Sequence, residues 1–145
     1  MLRQMETEMR LFFLAPLAFA LPCFVSPMLA DALPAMTGAE FDAYVTGKTL
    51  TYAVGGQVYG TEQYKADRKV VWAFSEDECR DGIWYEQGPQ ICFVYEDPND
   101  PQCWLFFMGA GGMSAQFMGL GSSGRLSEVA QTAGPMGCAG PDVGV

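Results

Sequence analysis

Two kinds of hydrophobic pattern divide the chain. Leu11 to Val25 is an almost unbroken apolar run (LFFLAPLAFALPCFV), whereas from Thr37 onward the apolar positions recur at helical and then at strand spacing. Fifteen residues fall short of the roughly 20 that a membrane-spanning helix needs, and Pro16 and Pro22 interrupt them. Arg3 and Arg10 precede the run, and Ala30-Asp31-Ala32 follows it with the A-x-A pattern of a signal peptidase site. Residues 1–32 therefore read as a signal peptide, with Met9 as an alternative start because Glu6 and Glu8 are unusual in such a segment. Pro22 stands where a lipoprotein signal at Cys23 wants a small residue, so that reading is set aside. The expectation is cleavage near Ala32, a periplasmic or secreted location, and one domain over residues 33–145.

Thr37-Gly38-Ala39-Glu40 is a capping-box pattern, with Met36 and Phe41 at the staple positions. Phe41, Tyr44 and Val45 follow at i, i+3 and i+4, and Gly47 suits the position after a helix, so a short helix is expected from Gly38 to Thr46. The period then changes to two. Strands are expected over Lys48–Val54, Lys69–Ser75 (Val70, Trp72 and Phe74 on one face), Gly82–Glu86, Gln90–Glu96, Cys103–Met108 and Met113–Met118. Gly55-Gly56, Gln87-Gly88-Pro89 and Asp97-Pro98-Asn99-Asp100-Pro101 supply turns. Tyr64–Asp67 reads as a loop or short pairing segment, and the Gly- and Ser-rich tail from Gly119 as loop-like. The fold expected is mainly β: a small antiparallel barrel or strongly curved sheet of five to seven strands with one short N-terminal helix.

Composition narrows the function. Hydrophobic residues make up 50% of the chain and charged ones 17%, which excludes a disordered acidic tail. Seventeen acidic against eight basic residues give a net charge of −9, which argues against nucleic acid and anionic membranes as partners. The chain has no histidine, which removes Ser-His-Asp and Cys-His catalysis and histidine-ligated zinc.

Of the five cysteines, Cys79, Cys92, Cys103 and Cys138 lie beyond the export segment, an even number that suits two disulfides. Pairing Gln90–Glu96 with Cys103–Met108 around the Asp97-Pro98 turn sets Cys92 opposite Cys103, Ile91 opposite Trp104 and Tyr95 opposite Asp100. Directly opposed strand residues are close enough for a disulfide, and Cys79 is then left to Cys138. Cys79–Cys92 with Cys103–Cys138 is the alternative, and free thiols are a third arrangement.

Gly82-Ile83-Trp84, Gln90-Ile91-Cys92-Phe93 and Cys103-Trp104, with the ending Cys138-Ala139-Gly140-Pro141-Asp142-Val143-Gly144-Val145, resemble a pattern of small exported bacterial β-rich proteins of unknown function. The resemblance spans residues 37–145. It implies export, a β-rich fold and a cystine between the two central cysteines, and it brings no activity with it.

Candidate chemistry is sparse. Gly119-Leu120-Gly121-Ser122-Ser123-Gly124 has the form G-x-G-x-x-G, yet Pro135, Gly137 and Gly140 spoil the helix–strand unit that a dinucleotide site needs after it. Glu76, Asp77, Glu78 and Asp81, and then Glu96, Asp97, Asn99 and Asp100, lack calcium-loop spacing and read as solvated turn acids. Met108, Met113, Met118 and Met136 read as strand filling and not as copper(I) ligands. No cofactor or metal is expected. Trp72, Trp84, Tyr85, Tyr95 and Trp104 are the candidate ligand-binding residues: most aromatics must fill the core, and a subset can line a small-ligand cavity as in lipocalin-like barrels. The expected function is non-catalytic binding of a small ligand or envelope component, without membrane insertion after processing. The alternative is an acidic interaction or inhibitor domain for a basic partner such as lysozyme. A carboxylate-based hydrolase is the enzyme class left open. Mass spectrometry of the exported protein should find Leu33 at its N-terminus; a retained Leu11–Val25 run would overturn the export reading.

Overall fold

The computed structural model describes residues 33–74, 78–120 and 124–138. The segment read as a signal peptide, Ser75 of the expected Lys69–Ser75 strand, Glu76 and Asp77 of the first acidic loop, Gly121 to Ser123 of the G-x-G-x-x-G run and the residues after Cys138 lie outside the described residues. Helix α1 spans Gly38–Val45 and precedes eight strands: β1 (Thr49–Val54), β2 (Gln57–Tyr64), β3 (Lys69–Ala73), β4 (Arg80–Gln87), β5 (Gln90–Val94), β6 (Gln102–Gly109), β7 (Gly112–Phe117) and β8 (Arg125–Thr132). Each strand pairs antiparallel with the next, and β8 pairs with β1, which closes an up-and-down barrel. Closure leaves no sheet edge unpaired.

The barrel has eight strands where five to seven were expected, and the two additions have different causes. β2 occupies Gln57–Tyr64, ahead of the Tyr64–Asp67 stretch read as a loop or short pairing segment, of which Tyr64 ends β2 and Ala66 and Asp67 begin the 3-10 turn Ala66–Arg68. Its inward positions are Gly60, Glu62 and Tyr64, so no alternation of large apolar residues announces it. β8 lies in the tail read as loop-like, and only Leu126 on it is buried. Both strands exist because their backbones complete ladders that β1, β3 and β7 would otherwise leave open. The Gly55-Gly56 turn between β1 and β2 has φ of 56° and 85°, the paired positive values of a tight hairpin turn.

The β5–β6 register sets Ile91 opposite Trp104, Cys92 opposite Cys103 and Phe93 opposite Gln102. The β5–β6 ladder ends at the Phe93–Gln102 pair and β5 itself at Val94, so Tyr95 and Asp100 belong to the connecting loop and not to a strand pair. Both cystines are those the register implies. Cys92 and Cys103 lie with Cα atoms 4.0 Å apart, and Cys79 and Cys138 5.8 Å apart. The second bridge holds a strap that follows β8. Gly134 accepts a hydrogen bond from Thr49 Oγ1 (2.7 Å), Met136 N donates to Gln63 Oε1 (3.3 Å), and Cys138 then reaches the chain just before β4.

Helix α1 plugs one end of the barrel. Thr37 Oγ1 accepts from Glu40 N and Glu40 Oε2 accepts from Thr37 N, which completes the capping box. Gly38 N donates to Glu86 Oε1 on β4 (2.7 Å), and Tyr44 donates to Glu128 Oε2 on β8 (2.8 Å), so two acids of the wall fix the helix at both ends. Phe41, fully buried, enters the lumen among Tyr64, Trp84, Phe93 and Phe106, with ring centroids 5.7, 5.1, 6.2 and 4.5 Å away. Among the described residues, no helix is long and apolar enough to cross a membrane. Phe41→Ala should cost about 3–5 kcal/mol. Urea denaturation checks this, and a loss below about 1 kcal/mol would show that the helix is not what seals the barrel.

Candidate functional site

The helix enters where β2, β4 and β6 end, so the opposite end of the lumen is where those strands begin and β3 and β5 end. There a cavity of about 370 Å³ opens. That is room for roughly a dozen water molecules at about 30 Å³ each. Its walls are Trp72 and Phe74 from the end of β3, Phe93 and Tyr95 from the end of β5, and Trp104 and Phe106 from β6, with Tyr59 at the start of β2. Tyr59, Trp72 and Phe74 form a cluster at the mouth, with centroids 5.3–5.9 Å apart and two of the three contacts edge-to-face. Tyr59 and Phe74 remain 43% and 47% exposed, so their rings are presented to solvent and not consumed by the core.

The inward acid is Glu62, 4% exposed and enclosed by tyrosines. Tyr64 Oη donates to Glu62 Oε2 (2.9 Å) and Tyr95 Oη donates to Oε1 (2.8 Å). Tyr52 Oη lies 2.8 Å from Tyr64 Oη. A phenol has one proton, and that of Tyr64 goes to the carboxylate, so Tyr52 is the donor in the latter pair. The result is a directed relay from β1 through β2 to the carboxylate, with a second support from the chain beyond β5. Burial pushes the Glu62 carboxyl up to about 7, against the two phenol hydrogen bonds that favour its charged form. Burial and the nearby Glu62 charge hold the Tyr52, Tyr64 and Tyr95 hydroxyls well above their ordinary value, so they stay protonated donors.

Small residues make room for this set. A Cβ on Gly82 would lie 2.6 Å from the Tyr95 ring and 2.7 Å from the Val94 carbonyl, and one on Gly60 would run into the Trp72 ring. The rim is charged. Glu96, Asp97 and Asp100 line the mouth together with one base, Arg80, whose guanidinium lies 4.0 Å from Glu96 and 6.0 Å over the Phe74 ring. Asp97 accepts from Asn99 N and Nδ2, which shapes the loop.

The structure divides the aromatic candidates. Trp72, Tyr95 and Trp104 line the cavity. Trp84 is instead core beneath the helix, against Phe41 with Arg68 4.7 Å over its ring, and does not line it. Tyr85 is out of phase with Trp84 on β4 and opposite Cys92, so it shares the outer face with the Cys92–Cys103 bridge. The acids of the second turn, read as solvated, are exposed, and Glu96, Asp97 and Asp100 also border the mouth of the cavity. Glu62 carried no signal, because a single acid among polar neighbours on an unrecognised strand has no pattern to violate. Among the described residues, no group of three His, Cys, Asp or Glu side chains is placed to hold a metal ion. No protein-family model, curated protein or solved structure matches the chain.

The elevated Glu62 value has a thermodynamic consequence of definite sign. Between about pH 4.5 and 7 the folded chain keeps a proton that the unfolded chain gives up, so stability falls as pH rises through that window and levels off above it. Glu62→Gln removes this loss. Urea denaturation at several pH values should find the variant gaining on the wild type by roughly 3 kcal/mol between pH 4.5 and 8; parallel profiles would show that Glu62 does not hold its proton.

Proposed function

We propose that the protein is an exported, periplasmic binding module that takes a small organic ligand into the open end of its barrel and performs no chemistry on it. The observation that carries this reading is the shape of the lumen: one end is filled by Phe41 and its aromatic neighbours, while the other keeps about 370 Å³ behind a mouth of partly exposed rings. Ligand sites characteristically combine mostly apolar walls with a few fixed polar groups, and Glu62 with its tyrosines is such a group. Both Glu62 oxygens are engaged by phenols and neither by a second carboxyl, which favours a recognition element over a hydrolytic carboxylate pair. Two disulfides fit an oxidising compartment, and cleavage near Ala32 would deliver residues 33–145 there.

The acidic rim of Glu96, Asp97 and Asp100 favours a second reading, an interaction or inhibitor domain that docks a basic protein such as lysozyme over the mouth. Binding to such a partner should weaken steeply with salt, whereas capture of a neutral small ligand should not. For the first reading, titration with 2-naphthol should raise the melting temperature and perturb emission from Trp72 and Trp104. Tyr59→Ala and Phe74→Ala, at exposed positions, should each weaken that binding about 2- to 10-fold through lost ring contact. Unchanged affinity in both variants, or no binding at all, would place the function elsewhere on the molecule.

A further inference from the structure

On the reading that the lumen is the ligand site, we propose that its ligand is a small organic ammonium cation with a flat apolar body, its N–H groups donating to Glu62 and its body lying against Trp72, Phe93 and Trp104. Three independent features of the cavity lead to this class.

The first is charge. The cavity wall carries Glu62 inside and Glu96, Asp97 and Asp100 at the rim against Arg80 alone, and Arg80 is already beside Glu96. An anion would pass three acids to reach a fourth, whereas a cation is drawn inward at every stage. The second is the wall itself. Tyr59, Trp72, Phe74, Phe93, Tyr95 and Trp104 line the space, and aromatic rings attract cations most strongly where water is excluded. The Arg80 guanidinium over Phe74 shows the mouth accommodating a cation of the protein's own. The third is hydrogen-bond capacity. Each Glu62 oxygen accepts one phenol proton, and a carboxylate has about four acceptor sites, so two remain for donors arriving through the lumen. Tyr52, Tyr64 and Tyr95 are locked as donors toward the carboxylate, so the site's unmet demand is for more donors and not for acceptors.

The titratable and charged groups around Glu62 are the neutral phenols Tyr52 from β1, Tyr64 from β2 and Tyr95 beyond β5, with Arg80 from β4 and Glu96, Asp97 and Asp100 from the chain between β5 and β6. None supplies an unpaired positive charge. Burial keeps Glu62 partly protonated near neutral pH, so an arriving ammonium displaces a proton to the solvent.

Calorimetric titration of the processed protein with tryptamine, tryptophol and indole-3-propionate tests this, because the three share one ring system and differ in charge. Tryptamine should bind at least tenfold more tightly than tryptophol, with indole-3-propionate weakest, and its binding at pH 7 should release protons, seen as a dependence of the heat on buffer ionisation enthalpy. In Glu62→Gln the tryptamine preference should collapse, its affinity falling to within about threefold of the same variant's affinity for tryptophol. The ranking in the unmodified protein stands whether or not the variant folds. Equal affinities for all three would overturn the cation assignment and leave the lumen reading intact, and tighter binding of indole-3-propionate would do the same. No binding of any of them would overturn both.

Discussion

The burial of Phe41 at the end of the barrel is the contact on which the remaining architecture depends. An eight-stranded barrel has an interior just wide enough for side chains to fill or for one small ligand. Here the chain does both, by splitting the lumen lengthwise. Tyr64, Trp84, Phe93 and Phe106 converge on Phe41 and fill the half beneath the helix. Tyr64, Phe93 and Phe106 also border the open half, where Glu62, Tyr95 and Trp104 join them. The plug is short, eight residues, and a helix of that length has little stability alone. It is held by what it buries and by two acids of the wall, Glu86 at its first turn and Glu128 at Tyr44.

Acidic residues thus serve two separate purposes in one small barrel. Glu86 and Glu128 satisfy donors that the docked helix brings, at the closed end. Glu62 stands in the lumen proper, where a buried carboxyl is costly unless it is hydrogen-bonded. Tyr64 and Tyr95 lower that cost by donating to its two oxygens, with Tyr52 behind Tyr64. A chain built only to be stable would place an apolar residue at such a position, since a buried ionisable group rarely adds stability. Its retention is intelligible if the carboxyl is used.

Much of the fold was legible because the helix and the middle strands carry strong local patterns. The capping box at Thr37 and the alternation through Val70, Trp72, Ile91 and Phe93 report local geometry that tertiary packing then confirms. The cysteine pairing followed from a single register argument around Asp97-Pro98. β2 and β8 were illegible for a physical reason. Gly60 and Glu62 take inward positions on β2 and only Leu126 is buried on β8, so the existence of both strands is decided by ladder completion between partners distant in sequence. The cavity was half legible. Trp72, Tyr95 and Trp104 could be suspected as aromatic strand residues, but which end of the lumen is filled depends on where the helix docks, and that separates Trp84 from the others. Glu62 became visible only when β2 was placed.

The hydrogen bond from Tyr95 to Glu62 spans the lumen from the chain beyond β5 to β2, three strands away around the wall. It acts as a tie-rod. A barrel with a purely apolar open half can flatten toward an ellipse and bring its walls into contact, since nothing resists the collapse of an empty hydrophobic space. The Tyr95–Glu62 bond, 2.8 Å between oxygens with the Tyr95 ring seated against Gly82, links the two walls across that space. On the binding reading proposed above, an incoming molecule meets walls that this bond already links. What such a molecule gives up on entry is its own freedom, with little reorganisation demanded of the protein around it.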